Sequence, residues 1–193
     1  MVAPTSGFFD TLKPLLWSGF FFTLKGSGTI MVAKGGVFML TIPIPGREPL
    51  VLDHLVLDYN GTIALDGQII PGIAQRLEKL SQVLSISVIT ADTHGTAARR
   101  CEGLPLQVLT YPTTEVGAIK AARVRSLEGG VVTIGNGFND IPMSDAADLS
   151  VCVMGPEGCC AALLSHCHIA VTSIHDALDL LLTPDRIRAT LRT

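Results

Sequence analysis

The sequence predicts an α/β fold built on a parallel sheet, and three observations predict it. Short apolar runs at His54–Leu57, Ile86–Thr90 and Val131–Ile134 read as strands buried on both faces, because a strand covered on both sides needs no polar alternation. Segments with apolar residues at helical spacing separate these runs, and strand, helix, strand in series implies parallel pairing through right-handed crossovers. Polar clusters follow the strands, where open α/β sheets place their ligand crevice.

The elements follow in order along the chain. Residues 1–38 crowd Phe8, Phe9, Trp17, Phe20, Phe21 and Phe22 among Gly, Ser and Lys punctuation, and are expected to be a poorly ordered or non-native extension. A membrane-touching segment is the alternative. The apolar stretch Leu15–Leu24 is about half what a bilayer span requires, so no integral membrane segment is expected. Met1–Ser6 lacks the basic residues of a signal peptide. Residues 39–193 then form the domain. Leu40–Ile44 and Leu50–Asp53 flank a Pro/Gly-rich connection and predict an N-terminal hairpin. His54–Leu57 is the first core strand. Asp66-Gly67 between two apolar-rich arms is a type I′ hairpin signal and predicts a small flap over Asp58. Ile73, Leu77, Leu80 and Leu84 mark a helix after Pro71. Ile86–Thr90 is a strand, Thr93–Cys101 a helix, Leu106–Thr110 a strand, Val116–Leu127 a helix and Val131–Ile134 a strand. Leu149–Met154, Glu157–Ser165, Ile169–Val171 and a helix over Ile174–Leu182 close the alternation.

Composition narrows the function. With 193 residues, 48% hydrophobic, 16% charged and a net charge of −3, the chain suits a globular domain with a sizeable core. Lys and Arg form no stripe and aromatics are few, which argues against nucleic-acid binding. Cys101, Cys152, Cys159, Cys160 and Cys167 match no common zinc spacing and are expected to be reduced, packing as small hydrophobes.

Asp58 is the most informative residue. It ends the first core strand and enters a Gly-containing turn that closes on Thr62. Thr90-Ala91-Asp92 ends the next strand, Lys120 lies on a helix, and Gly135-Asn136-Gly137-Phe138-Asn139-Asp140 follows Val131–Ile134. Taken singly, each has an ordinary explanation. Asp58 could cap a turn, Thr90 or Asp92 could cap a helix, Lys120 could be solvated, and Asp140 could be an N-cap with Pro142 in the first turn.

In this order and spacing, the four clusters resemble the motifs of the haloacid dehalogenase (HAD) superfamily over roughly Met39 to Thr193. Asp58-Tyr-Asn-Gly-Thr62, Thr90-Ala-Asp92 and Gly135–Asp140 look closest to those of the group called soluble P-type ATPases. The resemblance implies a three-layer Rossmann-like sheet with a hairpin flap. About thirty residues separate each pair of early motifs, too few for an inserted cap. It further implies that Asp58 attacks a phosphoryl group to give an aspartyl-phosphate, which divides one difficult displacement into two easier ones. A Mg²⁺ cofactor would be held by Asp58, the Asn60 carbonyl, Asn136 and Asp140. Gly61, Thr62, Thr90, Ala91, Lys120 and Asn139 would bind the phosphate, with Asn60, Thr90 and Lys120 also in the catalytic group. Preorganised donors of this kind contribute about 2.7–4 kcal/mol each.

Two departures from the family pattern stand out. Asn60 occupies the place where most phosphatases of the superfamily carry an acid/base Asp, and an amide cannot fill that role. Its loss typically costs about 10²–10⁴ in rate. Asn136 stands where the pumps carry Asp, removing a negative charge near the metal. The resemblance thus implies a slow, cytoplasmic phosphohydrolase or phosphotransferase. Its substrate would be a small phosphorylated molecule or a phosphorylated macromolecule, and a neighbouring copy of the chain could close its open site. The alternative is a phosphoryl-accepting or regulatory module without useful turnover.

Overall fold

A computed structural model describes residues 21–23, 30–34, 37–92, 96–111, 113 and 115–193. Four antiparallel strands, β1 (Phe21–Thr23), β2 (Ile30–Lys34), β3 (Val37–Ile42) and β4 (Leu50–Leu52), form an N-terminal sheet in sequential order. The predicted hairpin is its β3–β4 pair, with Leu40 opposite Leu52. The expected boundary between residues 38 and 39 falls inside β3, and β2 pairs with β3 from Ile30–Thr41 to Lys34–Val37. Of the segment read as an extension, residues 1–20, 24–29 and 35–36 lie outside the described residues.

The second sheet carries the site. It contains β5 (His54–Asp58), β8 (Ser85–Thr90), β9 (Gln107–Thr110), β10 (Val131–Gly135), β11 (Leu149–Val153) and β12 (Ile169–Val171), all parallel, in the order β12-β11-β10-β5-β8-β9. From β5 the chain first winds outward through β8 and β9. It then returns to the other side of β5 with β10 and continues outward. The switch point therefore lies between β5 and β10, whose carboxyl ends are Asp58 and Gly135.

Alternate residues of the central strands enter opposite cores. Leu55, Leu57, Val132, Ile134 and Val151 pack with Leu77, Leu80 and Leu178 on one face. Val56, Ile89 and Val131 pack with Val124 and Met143 on the other. This period-two partition is why these strands read as unbroken apolar runs. The first face is covered by α1 (Ala74–Leu80) and α5 (Ile174–Leu182), the second by α3 (Val116–Arg125) and α4 (Ile141–Asp145). Leu40, Ile42, Leu52 and Ile187, the last on α6 (Asp185–Leu191), extend the first core to the N-terminal sheet.

Between β5 and β8 the chain holds only α1 and the hairpin of β6 (Ala64–Leu65) and β7 (Gln68–Ile69), with no inserted cap. Asp66 and Gly67 both have positive φ, +49° and +74°, as a type I′ turn requires. The predicted helix at Thr93–Cys101 is α2 (Thr96–Arg100), with residues 93–95 outside the described set. Glu157–Ser165 contributes a 3₁₀ turn at Ala161–His166. Among the described residues, no helix is long and apolar enough to cross a membrane.

Candidate active site

The crevice at the switch point is built from three buried ionisable side chains. β5 delivers Asp58, 8% exposed; α3 presents Lys120, 1% exposed; the turn after β10 presents Asp140, 0% exposed. Lys120 Nζ donates to Asp58 Oδ1 at 2.5 Å and to Asp140 Oδ1 at 2.6 Å. A lysine that buried is not the solvated helix residue it could have been from its spacing alone. Burying an ammonium is costly unless it is paired and hydrogen-bonded, and here both carboxylates supply that.

The carboxylates are not equivalent. Asp140 Oδ2 accepts from the backbone N–H groups of Asn136 and Gly137 at 2.9 and 2.8 Å, so its second oxygen is committed to its own loop. Asp58 Oδ2 is approached at 3.3 Å by the buried Thr62 hydroxyl, which lies equally far from Asn136 Oδ1. Burial raises the Asp58 pKa to about 6; the Asp140 charge pushes the same way, while Lys120 opposes both. For Lys120, burial alone would lower the ammonium, but Asp58 and Asp140 outweigh it and hold it above its ordinary value.

Two glycines let the backbone close around these groups. Gly61 has φ +75°, and a Cβ there would stand 2.1 Å from Asn136 Nδ2. A Cβ at Gly135 would stand 2.5 Å from Asp140 Oδ2. A side chain at Gly61 would push apart the two loops that form the site, and one at Gly135 would displace Asp140 within its own loop.

The other expected residues fall around this centre. Thr90 is buried at the end of β8, with Oγ1 accepting from Asp92 N at 3.3 Å. Asp92 Oδ2 in turn accepts from Ala97 N at 2.6 Å and Thr96 Oγ1 at 3.0 Å, capping α2. Asn60, Ala91 and Asn139 are exposed at the mouth. The sequence reading missed the support from residues 155–160: Asn136 Nδ2 donates to Gly158 O at 3.1 Å, and Cys160 N donates to Asn136 O at 2.8 Å. Glu157 Oε1 accepts from Asp66 N at 3.0 Å, tying the flap to the same loop. The Gly155-Pro156-Glu157-Gly158 turn was the available signal. Beside Gly61 and Thr62, a cavity of about 340 Å³ opens under the flap, lined mainly by apolar side chains including Leu65, Ile69, Val153 and Ile174.

Among the described residues, no three His, Cys, Asp or Glu side chains gather to hold a metal ion. What the crevice offers is oxygen: Asp58 Oδ2 and Asn136 Oδ1 on either side of the Thr62 hydroxyl, with the Asn60 carbonyl in the adjoining turn. That donor chemistry fits a hard cation that retains several waters and uses one or two carboxylates. Asp140, the fourth expected ligand, is here the partner of Lys120 through Oδ1.

Comparison with known proteins adds the following. No family model matches the chain. The uncharacterized protein MJ0073 of Methanocaldococcus jannaschii is 39% identical over 84 residues, spanning 39% of this chain and 90% of that protein. The cobalt-bound deoxy-D-mannose-octulosonate 8-phosphate phosphatase of Haemophilus influenzae superposes with a TM-score of 0.57 at 11% identity, over 74% of this chain and 94% of that one. A putative 3-deoxy-D-manno-octulosonate 8-phosphate phosphatase of Vibrio cholerae gives 0.57 at 14% identity, over 79% and 98%. The Moraxella catarrhalis phosphatase, in complex with magnesium, phosphate and its sugar acid, gives 0.52 at 18% identity, over 73% and 94%. The likeness to these solved structures is one of fold: a HAD-type phosphatase sheet with a small hairpin.

Proposed function

We propose that this chain, which belongs to the same family as MJ0073 of Methanocaldococcus jannaschii and is built on the HAD phosphatase fold, is a cytoplasmic phosphohydrolase or phosphotransferase of the HAD superfamily that works through Asp58. The observation that carries this reading is the buried contact of Lys120 with Asp58 and Asp140 at the switch point of the sheet. A paired, desolvated carboxylate at that place is costly to fold and is suited to nucleophilic chemistry.

In this reading Asp58 Oδ2 attacks phosphorus, the bond to the leaving oxygen breaks, and the phosphoryl group passes to Asp58. Lys120 holds Asp58 by Oδ1 and supplies positive charge to the phosphoryl oxygens. The Thr90 hydroxyl and the backbone N–H groups of the turn at Gly61 and Thr62 add donors. Asp140 keeps Lys120 charged and oriented. Mg²⁺, which Asp58, the Asn60 carbonyl, Asn136 and Asp140 would hold, would neutralise charge on the transferring group. The substrate is a phosphate monoester whose non-phosphate part lies at the mouth under the flap, where a second copy of the chain could also contribute cover.

Asn60 favours a second reading. It is exposed in the turn beside the nucleophile and offers no titratable proton, so a phosphoryl group on Asp58 would have no carboxylate to activate water against it. Under that reading the chain is a phosphoryl-accepting module related to the P-type ATPase phosphorylation domain. Incubation with a generic aryl phosphate, with and without Mg²⁺, tests the proposal. Slow Mg²⁺-dependent release of the alcohol is expected. A single burst equal to the protein concentration would favour the second reading, and no release at all would contradict both.

A further inference from the structure

The cavity under the flap has the chemistry of a substrate pocket. Its volume is about 340 Å³, and it is walled by Leu65, Ile69 and Ile70 from the flap together with Val153 at the end of β11 and Ile174 at the start of α5. An apolar cavity of about 150 Å³ stays dry and takes a benzene ring, so this one has room for two fused rings or a branched chain of similar size. The cavity is also joined to the catalytic crevice. Thr62 lines it, and the Thr62 hydroxyl lies 3.3 Å from Asp58 Oδ2, the oxygen assigned to attack. Cavity and nucleophile thus share a wall one side chain thick.

The polar side chains of the lining are already engaged. Thr62 Oγ1 is shared between Asp58 Oδ2 and Asn136 Oδ1. Ser173 Oγ donates to Asp176 Oδ2 at 2.6 Å and accepts from Asp176 N at 3.1 Å, and His175 Nε2 donates to Pro71 O at 2.8 Å. Gln68 stands exposed at the rim, and among the described residues no Lys, Arg, Asp or Glu lines the cavity. The hydroxyls of a sugar phosphate, or a second charge on the ester, would lose water there without gaining partners, a penalty that an apolar group avoids. The walls are also held in place beforehand. Asp66 N donates to Glu157 Oε1 at 3.0 Å, Tyr59 Oη donates to Gly67 O at 3.0 Å, and the His175–Pro71 bond ties the exit of the flap to α5. A pocket fixed in its open shape loses little freedom when it is filled.

We propose that this cavity binds the apolar alcohol part of the phosphate monoester, so that the substrate class is an aromatic or branched aliphatic monophosphate and not a sugar phosphate. The inference rests on the phosphoryl reading and adds to it the pocket that selects the leaving group. Leu65 and Ile69 on the flap, with Val153 and Ile174 beneath it, are the residues that set specificity. Selection comes from apolar burial on one side of Thr62 while the charged chemistry stays on the other.

The test compares 2-naphthylmethyl phosphate with glycerol 1-phosphate on the full chain in Mg²⁺. Both are esters of primary alcohols, so the pocket and not the leaving oxygen sets the difference. The kcat/KM for the naphthylmethyl ester should be higher by at least about 100-fold, because a single methylene in an apolar pocket is already worth about tenfold or more. Ile69→Asp, which sets a carboxylate in the lining, should lower that ratio by at least about tenfold. Leu65→Trp, which fills the space without adding charge, should do the same and serves if the aspartate disturbs the flap. Free 2-naphthylmethanol should raise the melting temperature of wild type and not that of Leu65→Trp. Turnover of neither ester would strike down the phosphoryl reading and this inference with it. Turnover without the preference, a preference that survives both substitutions, or no melting shift with the alcohol would overturn the pocket assignment and leave the chemistry at Asp58 standing.

Discussion

Lys120 Nζ lies 2.5 Å from Asp58 Oδ1 in a site where the lysine is 1% exposed. The contact joins α3 to the end of β5, and Asp140 completes it from the turn after β10 at 2.6 Å. Two buried carboxylates face each other here across one cation, so removing that cation leaves their repulsion without compensation. Lys120→Met is expected to destabilise the protein by about 3–5 kcal/mol at neutral pH, the usual cost of breaking a buried pair. The loss should shrink as pH falls and Asp58, whose pKa is raised by burial and by Asp140, takes up its proton. Urea unfolding of the variant at neutral and mildly acidic pH measures both effects.

The raised pKa of Asp58 predicts how the metal-free protein responds to pH. The folded state holds a proton on Asp58 up to about pH 6, while an unfolded chain releases it near the ordinary value of 3.8. Between those values the folded state binds more protons, so this contribution to stability declines as pH rises from about 4 to about 6 and is flat above. Asp58→Asn should abolish the decline and melt higher than wild type at neutral pH. Added Mg²⁺ should stabilise wild type more strongly above pH 6 than below, because the cation competes with that proton. Thermal melts in chelator and in Mg²⁺ across this range provide the check.

Asn136 tunes both the metal and the loop. Its Nδ2 donates to Gly158 O at 3.1 Å, so Asn136→Asp would set a carboxylate against a carbonyl oxygen while adding a charge beside Asp58. The metal-free variant should be less stable by about 0.5–1.5 kcal/mol, the usual net worth of a hydrogen bond whose exposed acceptor can turn to water instead. Its affinity for Mg²⁺ should rise about tenfold, since ligand charge count governs such sites. Calorimetric titration with Mg²⁺, alongside a melt in chelator, separates the two.

Gly61 is held at φ +75°, with no room for a side chain beside Asn136. Gly61→Ala should therefore cost at least about 1 kcal/mol in stability and more than tenfold in turnover of an aryl phosphate, because both strain and collision act on the turn that carries Thr62. Gly67→Ala is the control. It also has positive φ, but nothing lies within 4 Å of its added Cβ, so only stability should change.

The path from sequence to site ran through the central strands. Asp58 was legible because a carboxylate ends an apolar run, and Thr90 and Asp140 because they follow the strands on either side. Lys120 was legible only from its order among these motifs, since the α3 sequence has almost no amphipathic pattern to mark which face is buried. The division of labour between the acids was not readable. Asp140 belongs to Lys120 and to two backbone amides, a fact set by how the loop folds back on itself. The strand β2 was missed although Ile30–Ala33 is apolar and flanked by glycine, because the aromatic crowding before it drew the reading toward an extension. α6 was missed because it follows α5 after only two residues, Thr183 and Pro184.

Asn60 bears on the lifetime of the phosphorylated state. Asn60→Asp would return a titratable carboxylate to the mouth of the site, and aryl phosphate turnover should rise by about 10²–10⁴ if general acid/base assistance is what wild type lacks. An unchanged rate would assign the slowness elsewhere.

The most direct test of the central claim is the position of the phosphoryl group on the chain. Wild-type protein would be incubated with an aryl phosphate and Mg²⁺, quenched in acid and mapped by peptide mass spectrometry, with Asp58→Asn treated in parallel. The account predicts a phosphoryl group on Asp58 in wild type, and neither modification nor turnover in the variant. Turnover undiminished in Asp58→Asn, or a phosphoryl group on any other residue, would contradict it.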